Sequence, residues 1–213
     1  MLEKMDAFFE ARLEGYDAHM RNDIEGAREF YPFTAAQLPE GHILDLGCGT
    51  GLELEYYFAG NPDGAVTGID LSAGMLAALE TKFPDKDLTL IRGSYFDVPL
   101  GEAQFDAAVS VESLHHFPMV QKIPLYARLH RALKPRGYFI LTDYFAPDDA
   151  YEAFYFGELQ RLKAEQGIAD EEFYHYDTPL TAAHEKEALQ EAGFSKVEIL
   201  QSWGATNCLK AYY

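Results

Sequence analysis

Residues 41–51, Gly41-His42-Ile43-Leu44-Asp45-Leu46-Gly47-Cys48-Gly49-Thr50-Gly51, constrain the fold of this 213-residue chain more than any other stretch. The apolar run 43–46 is too short for a helix and is flanked by turn formers, which predicts a buried parallel strand. Three glycines at alternate positions follow it, and a helical pattern begins at Leu52. Such glycines let the backbone take positive φ and let a ligand approach where a Cβ would obstruct it. The helix then aims its unpaired N–H groups at that ligand. A strand, a glycine turn and a helix start together predict a nucleotide site.

The glycine spacing narrows the ligand. A dinucleotide fingerprint, G-x-G-x-x-G, needs glycine where this chain has Leu52. A phosphate loop of the Walker type needs Gly-Lys-Ser/Thr, which does not follow. Segment 66–70 reads as the second strand, ending in Asp70, with Ser72 placed to cap a helix over 73–82. In open parallel sheets ligands bind outside the carboxyl ends of the strands, and an acid there can accept both ribose hydroxyls. Asp70 therefore adds an adenosine-type ribose to the expectation.

The formal charge of −18 argues against a bare nucleic-acid or anionic-membrane surface, and the Lys and Arg residues are scattered. No signal peptide or membrane-length apolar run is evident, and two cysteines do not make a disulfide framework or a cysteine-ligated zinc site. The chain reads as one cytoplasmic domain, monomeric or homodimeric, with no metal ligand set singled out and a small molecule as partner. No nucleic acid or membrane partner is expected.

The pattern along the chain divides it into a helical extension (1–40), a core (41–144), an aromatic insert or lid (145–180) and a final helix with two strands (181–213). Helix is expected over 5–14, stopped by Gly15, and again over 24–38, broken or bent at Pro32. Strands are expected at 88–92, 105–111 and 138–144, with helices at 52–59 and 121–133. After strand 105–111, nearly all apolar, come Glu112-Ser113-Leu114-His115-His116-Phe117. Tyr151, Phe154, Tyr155, Phe156, Phe173, Tyr174 and Tyr176 crowd around the expected helix 152–166. The chain closes with helix 181–192 and strands 197–200 and 207–213.

Asp45 followed by Gly47-x-Gly49-x-Gly51 resembles motif I of the class I S-adenosylmethionine (SAM)-dependent methyltransferases. Gly93-Ser94-Tyr95-Phe96-Asp97-Val98-Pro99-Leu100 resembles that family's adenine-binding segment, with Ser94 in place of the usual acid. Segments 105–117 and 133–141 match further family motifs in the same order. The resemblance implies an α/β fold: a doubly wound, mostly parallel seven-stranded sheet, helices on both faces, the last strand antiparallel. It implies SAM as cofactor, S-adenosylhomocysteine as product, and in-line methyl transfer to a small acceptor. Its cofactor site would comprise Asp45, Gly47, Cys48, Gly49, Thr50, Gly51, Asp70, Leu71, Met75, Ser94, Tyr95 and Val111. His115, His116 and Tyr144 are the candidate catalytic groups, and Tyr16, His19 and Tyr155 candidate walls of the substrate pocket. Two other readings remain: different SAM chemistry, as in carboxy-SAM synthase, for which no arginine stands out, and a regulatory SAM-binding module without catalysis.

Overall fold

A computed structural model describes residues 1–169 and 172–213. Seven strands form one sheet in the order β3-β2-β1-β4-β5-β7-β6. They are β1 (His42–Leu46), β2 (Ala65–Asp70), β3 (Asp87–Arg92), β4 (Phe105–Val111), β5 (Leu133–Tyr144), β6 (Lys196–Trp203) and β7 (Thr206–Tyr212). β7 runs antiparallel to both neighbours, and the pairings among β1–β5 are parallel.

Central strands buried on both faces must be apolar on both, and the sequence meets this by alternation. Ile43, Ala107 and Val109 pack into one hydrophobic cluster with Phe30, Tyr31, Leu54, Tyr57 and Leu79. Those side chains belong to α3 (Ala27–Ala36), α4 (Leu52–Gly60) and α5 (Ala73–Lys82). Leu44, Leu46 and Ala108 face the other way, onto Leu125, Tyr126 and Leu129 of α6 (Met119–Ala132) and Leu189 of α8 (Ala182–Glu191). The fold is thus the doubly wound sheet expected. β1 lies between β2 and β4, so the chain winds outward to β3 and returns on β1's other side. That reversal opens a crevice at the carboxyl ends of β1 and β4, where ligands bind in such sheets.

The ends of the chain depart from expectation in specific places. The extension holds three helices: α1 (Met5–Glu10), α2 (Tyr16–Asp23) and α3. Residues 16–20, expected as a connection, are helical, because Gly15 at φ 87° turns the chain directly into α2. α3 continues through Pro32. The carbonyl that Pro32 leaves without a donor belongs to exposed Arg28, where water can reach it, while Phe30, Tyr31 and Thr34 on the buried face hold the helix to the sheet. β5 begins at Leu133, not at residue 138, with a register irregularity in its pairing with β4. A 3₁₀ turn over Leu114–His116, not expected, follows β4.

The insert consists of α7 (Asp149–Gln166) and an extended return; residues 170 and 171 of the expected 145–180 stretch lie outside the described residues. The return is stitched to the extension: Met5 N–H donates to the Phe173 carbonyl and His175 N–H to the Glu3 carbonyl. The Phe8 and His175 rings stack at 3.5 Å between centroids. Among the described residues no helix is long and apolar enough to cross a membrane.

Candidate functional site

All three turn glycines adopt positive φ: Gly47 75°, Gly49 49° and Gly51 71°. At Gly47 an added Cβ would lie 2.1 Å from Ser113 Oγ, so the turn packs there without side-chain space. At Gly49 the same position is open, with nothing within 4 Å. Gly49 N–H instead donates to Asp70 Oδ2 at 2.9 Å, and Ser72 N–H donates to Oδ1 at 2.8 Å. Burial pushes the Asp70 carboxyl above its ordinary range, and the backbone donors of Ser72, Gly49 and Leu71 pull against it. Ser72 also caps α5, its Oγ accepting from Met75 N–H, so its hydroxyl rather than Asp70 serves that helix.

A cleft of about 570 Å³, the open solvent at its mouth included, lies in front of this turn. Of the expected cofactor residues, Gly47, Gly49, Asp70, Leu71, Met75, Tyr95 and Val111 line it. The extension contributes Met5, Asp6, Phe9 and Tyr16, and the segment after β4 contributes Glu112, Ser113, His116 and Phe117. The remaining expected residues do not line it. Cys48 is buried against β2, its Sγ 2.7 Å from where a Gly68 Cβ would be. Thr50 donates its hydroxyl to Asp17 of α2 at 2.5 Å, and Gly51 forms the N-cap of α4. Ser94 Oγ accepts from Phe96 N–H within its own turn. Asp45 is 1% exposed, and neither of its side-chain oxygens has a hydrogen-bond partner among the described residues. Burial, then the charge of Glu53, push its carboxyl well above the usual range.

A second, wider cleft of about 1730 Å³ open to solvent adjoins the first. Tyr16, His19, His115, His116 and Tyr144 line it, whereas Tyr155 lies apart, against Tyr151 at 4.5 Å between centroids. Phe9, Tyr16, Glu112 and His116 line both clefts and form their common wall.

Glu112 did not stand out in the sequence, although an acid directly after a fully apolar central strand, at the crevice, was a usable signal. Its φ is 49°, uncommon for a residue with a side chain. Its N–H donates to the Thr142 carbonyl, and Thr206 donates its hydroxyl to Oε1 at 3.1 Å. Burial, reinforced by Asp143, pushes its carboxyl up to about 7.

Asp143 and Asp177 also escaped sequence reasoning, since neither lies near the histidines in the chain. Asp143 Oδ1 is 2.5 Å from His115 Nδ1, and its Oδ2 accepts from Leu114 N–H at 2.8 Å. Asp177 Oδ1 is 3.5 Å from His115 Nε2 and 3.1 Å from His116 Nδ1. Burial opposes charge on the His115 ring, but Asp143 overrides it and holds the ring's pKa well above the ordinary value. Burial, and then His115, lower that of His116.

Comparison with known proteins agrees with this geometry. Residues 44–141 match the family model described as a methyltransferase domain. A demethylmenaquinone methyltransferase of Symbiobacterium thermophilum is 33% identical over 161 residues, 70% of this chain and 62% of that protein. A fatty-acid O-methyltransferase of Mycolicibacterium smegmatis is 32% identical over 117 residues, 54% of this chain and 42% of that protein. The chain thus spans less than two thirds of the length of either relative. The solved complex of DhpI with SAM and HEP superposes with a TM-score of 0.69 at 20% identity, covering 97% of this chain and 94% of that one. Strand order, glycine turn and these likenesses agree that the chain belongs to the class I SAM-dependent methyltransferases.

Proposed function

We propose that this protein binds SAM in the first cleft and transfers its methyl group to a nucleophile on a small molecule held in the second. The observation that carries this reading is the common wall: Tyr16, Glu112 and His116 face both clefts, so two ligands can meet there.

The residues present fit the cofactor. Asp70 is fixed by two backbone donors with lone pairs left for ribose hydroxyls, and Gly49 leaves the approach free of side chain. Leu71, Met75 and Tyr95 supply apolar surface beside it. SAM brings an activated sulfonium methyl, so the protein's task is alignment and water exclusion. Tyr16 and Phe9 from the extension cover the junction. Glu112 is the carboxylate that reaches both clefts, and it is placed to take the proton of an acceptor that arrives protonated. The acceptor's electron pair then forms the bond to carbon as the carbon–sulfur bond breaks, leaving neutral S-adenosylhomocysteine. His115, His116 and Tyr144 flank the acceptor's side of the junction.

Calorimetric titration with SAM and S-adenosylhomocysteine, followed by labelled-methyl transfer into a metabolite extract, tests the reading. Saturable binding and a labelled product are expected; absence of binding at millimolar ligand contradicts it, and binding without transfer to any acceptor supports a regulatory module instead.

A further inference from the structure

Two groups of side chains among the described residues could each hold a cation, and both use His115. The first joins Glu112 and Asp143 to His115. There Asp143 Oδ1 lies 2.5 Å from His115 Nδ1, a hydrogen-bond separation. Two ligands of one tetrahedral ion with bonds of about 2.0–2.1 Å stand about 3.3 Å apart, so that pair leaves no room for an ion.

The second group is His115, His116 and Asp177. Its edges from Asp177 Oδ1 are 3.5 Å to His115 Nε2 and 3.1 Å to His116 Nδ1, on either side of the tetrahedral value. The three ligand atoms lie within 4.8 Å of one another. A separate observation points the same way. Asp143 Oδ1 lies 2.5 Å from His115 Nδ1, and this leaves Nε2 as the ring atom that faces Asp177. A carboxylate behind the imidazole is the arrangement that orients metal-bound histidines. Asp177 is held in place as well, because the N–H of the next residue, buried Thr178, donates to the His115 carbonyl at 2.9 Å.

We propose that His115 Nε2, His116 Nδ1 and Asp177 bind one divalent first-row transition ion, with zinc as the type. Two imidazoles with one carboxylate suit such ions, whereas magnesium and calcium take oxygen ligands. All three residues line the second cleft, so an open fourth position faces the acceptor. Resting on the methyltransferase reading, this makes the acceptor a molecule with a hydroxyl group. Its oxygen would bind the ion, its O–H proton would pass to Glu112, and the electron pair retained on oxygen would form the bond to the methyl carbon as the carbon–sulfur bond breaks, that bond's electrons staying on the sulfur of S-adenosylhomocysteine.

The test uses the full chain, stripped with chelator and titrated separately with zinc and with cobalt(II). Calorimetry and the visible absorption of bound cobalt are the readouts. One equivalent is expected, with a cobalt band of tetrahedral or five-coordinate type. Asp177→Asn keeps the side-chain shape and should weaken zinc binding by at least about tenfold and remove the band. His184→Ala, on α8, should change neither. Absence of stoichiometric binding, or equal affinity in Asp177→Asn, overturns the proposal. Titration of the same samples with S-adenosylhomocysteine separates the two claims: metal without cofactor binding defeats the methyltransferase reading alone, and cofactor without metal binding defeats the metal site alone.

Discussion

Gly49 N–H donates to Asp70 Oδ2 at 2.9 Å, a bond that ties the turn after β1 to the carboxyl end of β2 across the floor of the first cleft. It fixes the carboxylate before any ligand arrives, so the proposed ribose contact would cost little reorganisation. Hydrogen bonds to a charged group contribute roughly 1.5–3 kcal/mol. Asp70→Ala should therefore weaken S-adenosylhomocysteine binding by about 10- to 150-fold in calorimetry. Unchanged affinity would remove the ribose role.

The same carboxylate predicts a pH dependence. Burial raises the pKa of Asp70, so its ionised form costs folding stability at neutral pH, and that cost is relieved as pH falls through the raised value. In the proposed complex ribose hydroxyls would bond the ionised form, so cofactor affinity should be full above that pKa and decline below it. Titrations carried from neutral pH down into the ordinary carboxylate range should show a plateau followed by a loss that begins above the pH expected of an ordinary aspartate. Asp70→Asn should bind more weakly and flatten that loss; a wild-type profile identical to the variant's would contradict the assignment.

Gly47→Ala combines a left-handed φ of 75° with a Cβ placed 2.1 Å from Ser113 Oγ. Strain of this kind costs about 1–3 kcal/mol, and denaturant unfolding should show it. Gly49→Ala has strained φ but open space, so it should lose less stability while still narrowing the cofactor's approach.

Glu112→Gln keeps the side-chain shape and removes the proton acceptor. Removing a general base typically costs about 10²- to 10⁴-fold, which should appear in kcat with S-adenosylhomocysteine affinity within about tenfold of wild type. An unaltered turnover with a protonated acceptor would assign the proton elsewhere.

Away from the site, Lys122 Nζ donates to Glu185 Oε2 at 2.6 Å and Tyr126 donates its hydroxyl to Oε1, with Lys122 and Glu185 each about 1% exposed. This network binds α6 to α8. Lys122→Ala leaves a buried carboxylate without its cation and should destabilise the fold by about 3–5 kcal/mol, read by thermal or denaturant unfolding.

The sheet was legible because its central strands are short apolar runs ending in turn formers, and because Ser72 and the glycines mark where helices begin. The first cleft was legible where its residues lie close in sequence: Gly47, Gly49 and Asp70 line one crevice. The acceptor side was not. Asp177 reaches His115 through a backbone bond between Thr178 and the 3₁₀ turn, across more than sixty positions of chain, and no local pattern announces such a meeting. Asp45 carries the family's motif yet lies beneath the turn, facing another acid rather than the cleft. Tyr155 belongs to an aromatic cluster on α7 that the density of rings alone could not separate from the pocket wall.

A crystal structure of the complex with S-adenosylhomocysteine tests the central claim most directly. The account predicts ribose hydroxyls on Asp70, the adenine beside Leu71 and Tyr95, and the sulfur facing Glu112 and His116 at the junction of the clefts. Adenosine bound away from Asp70, or a sulfur turned from the second cleft, would contradict it.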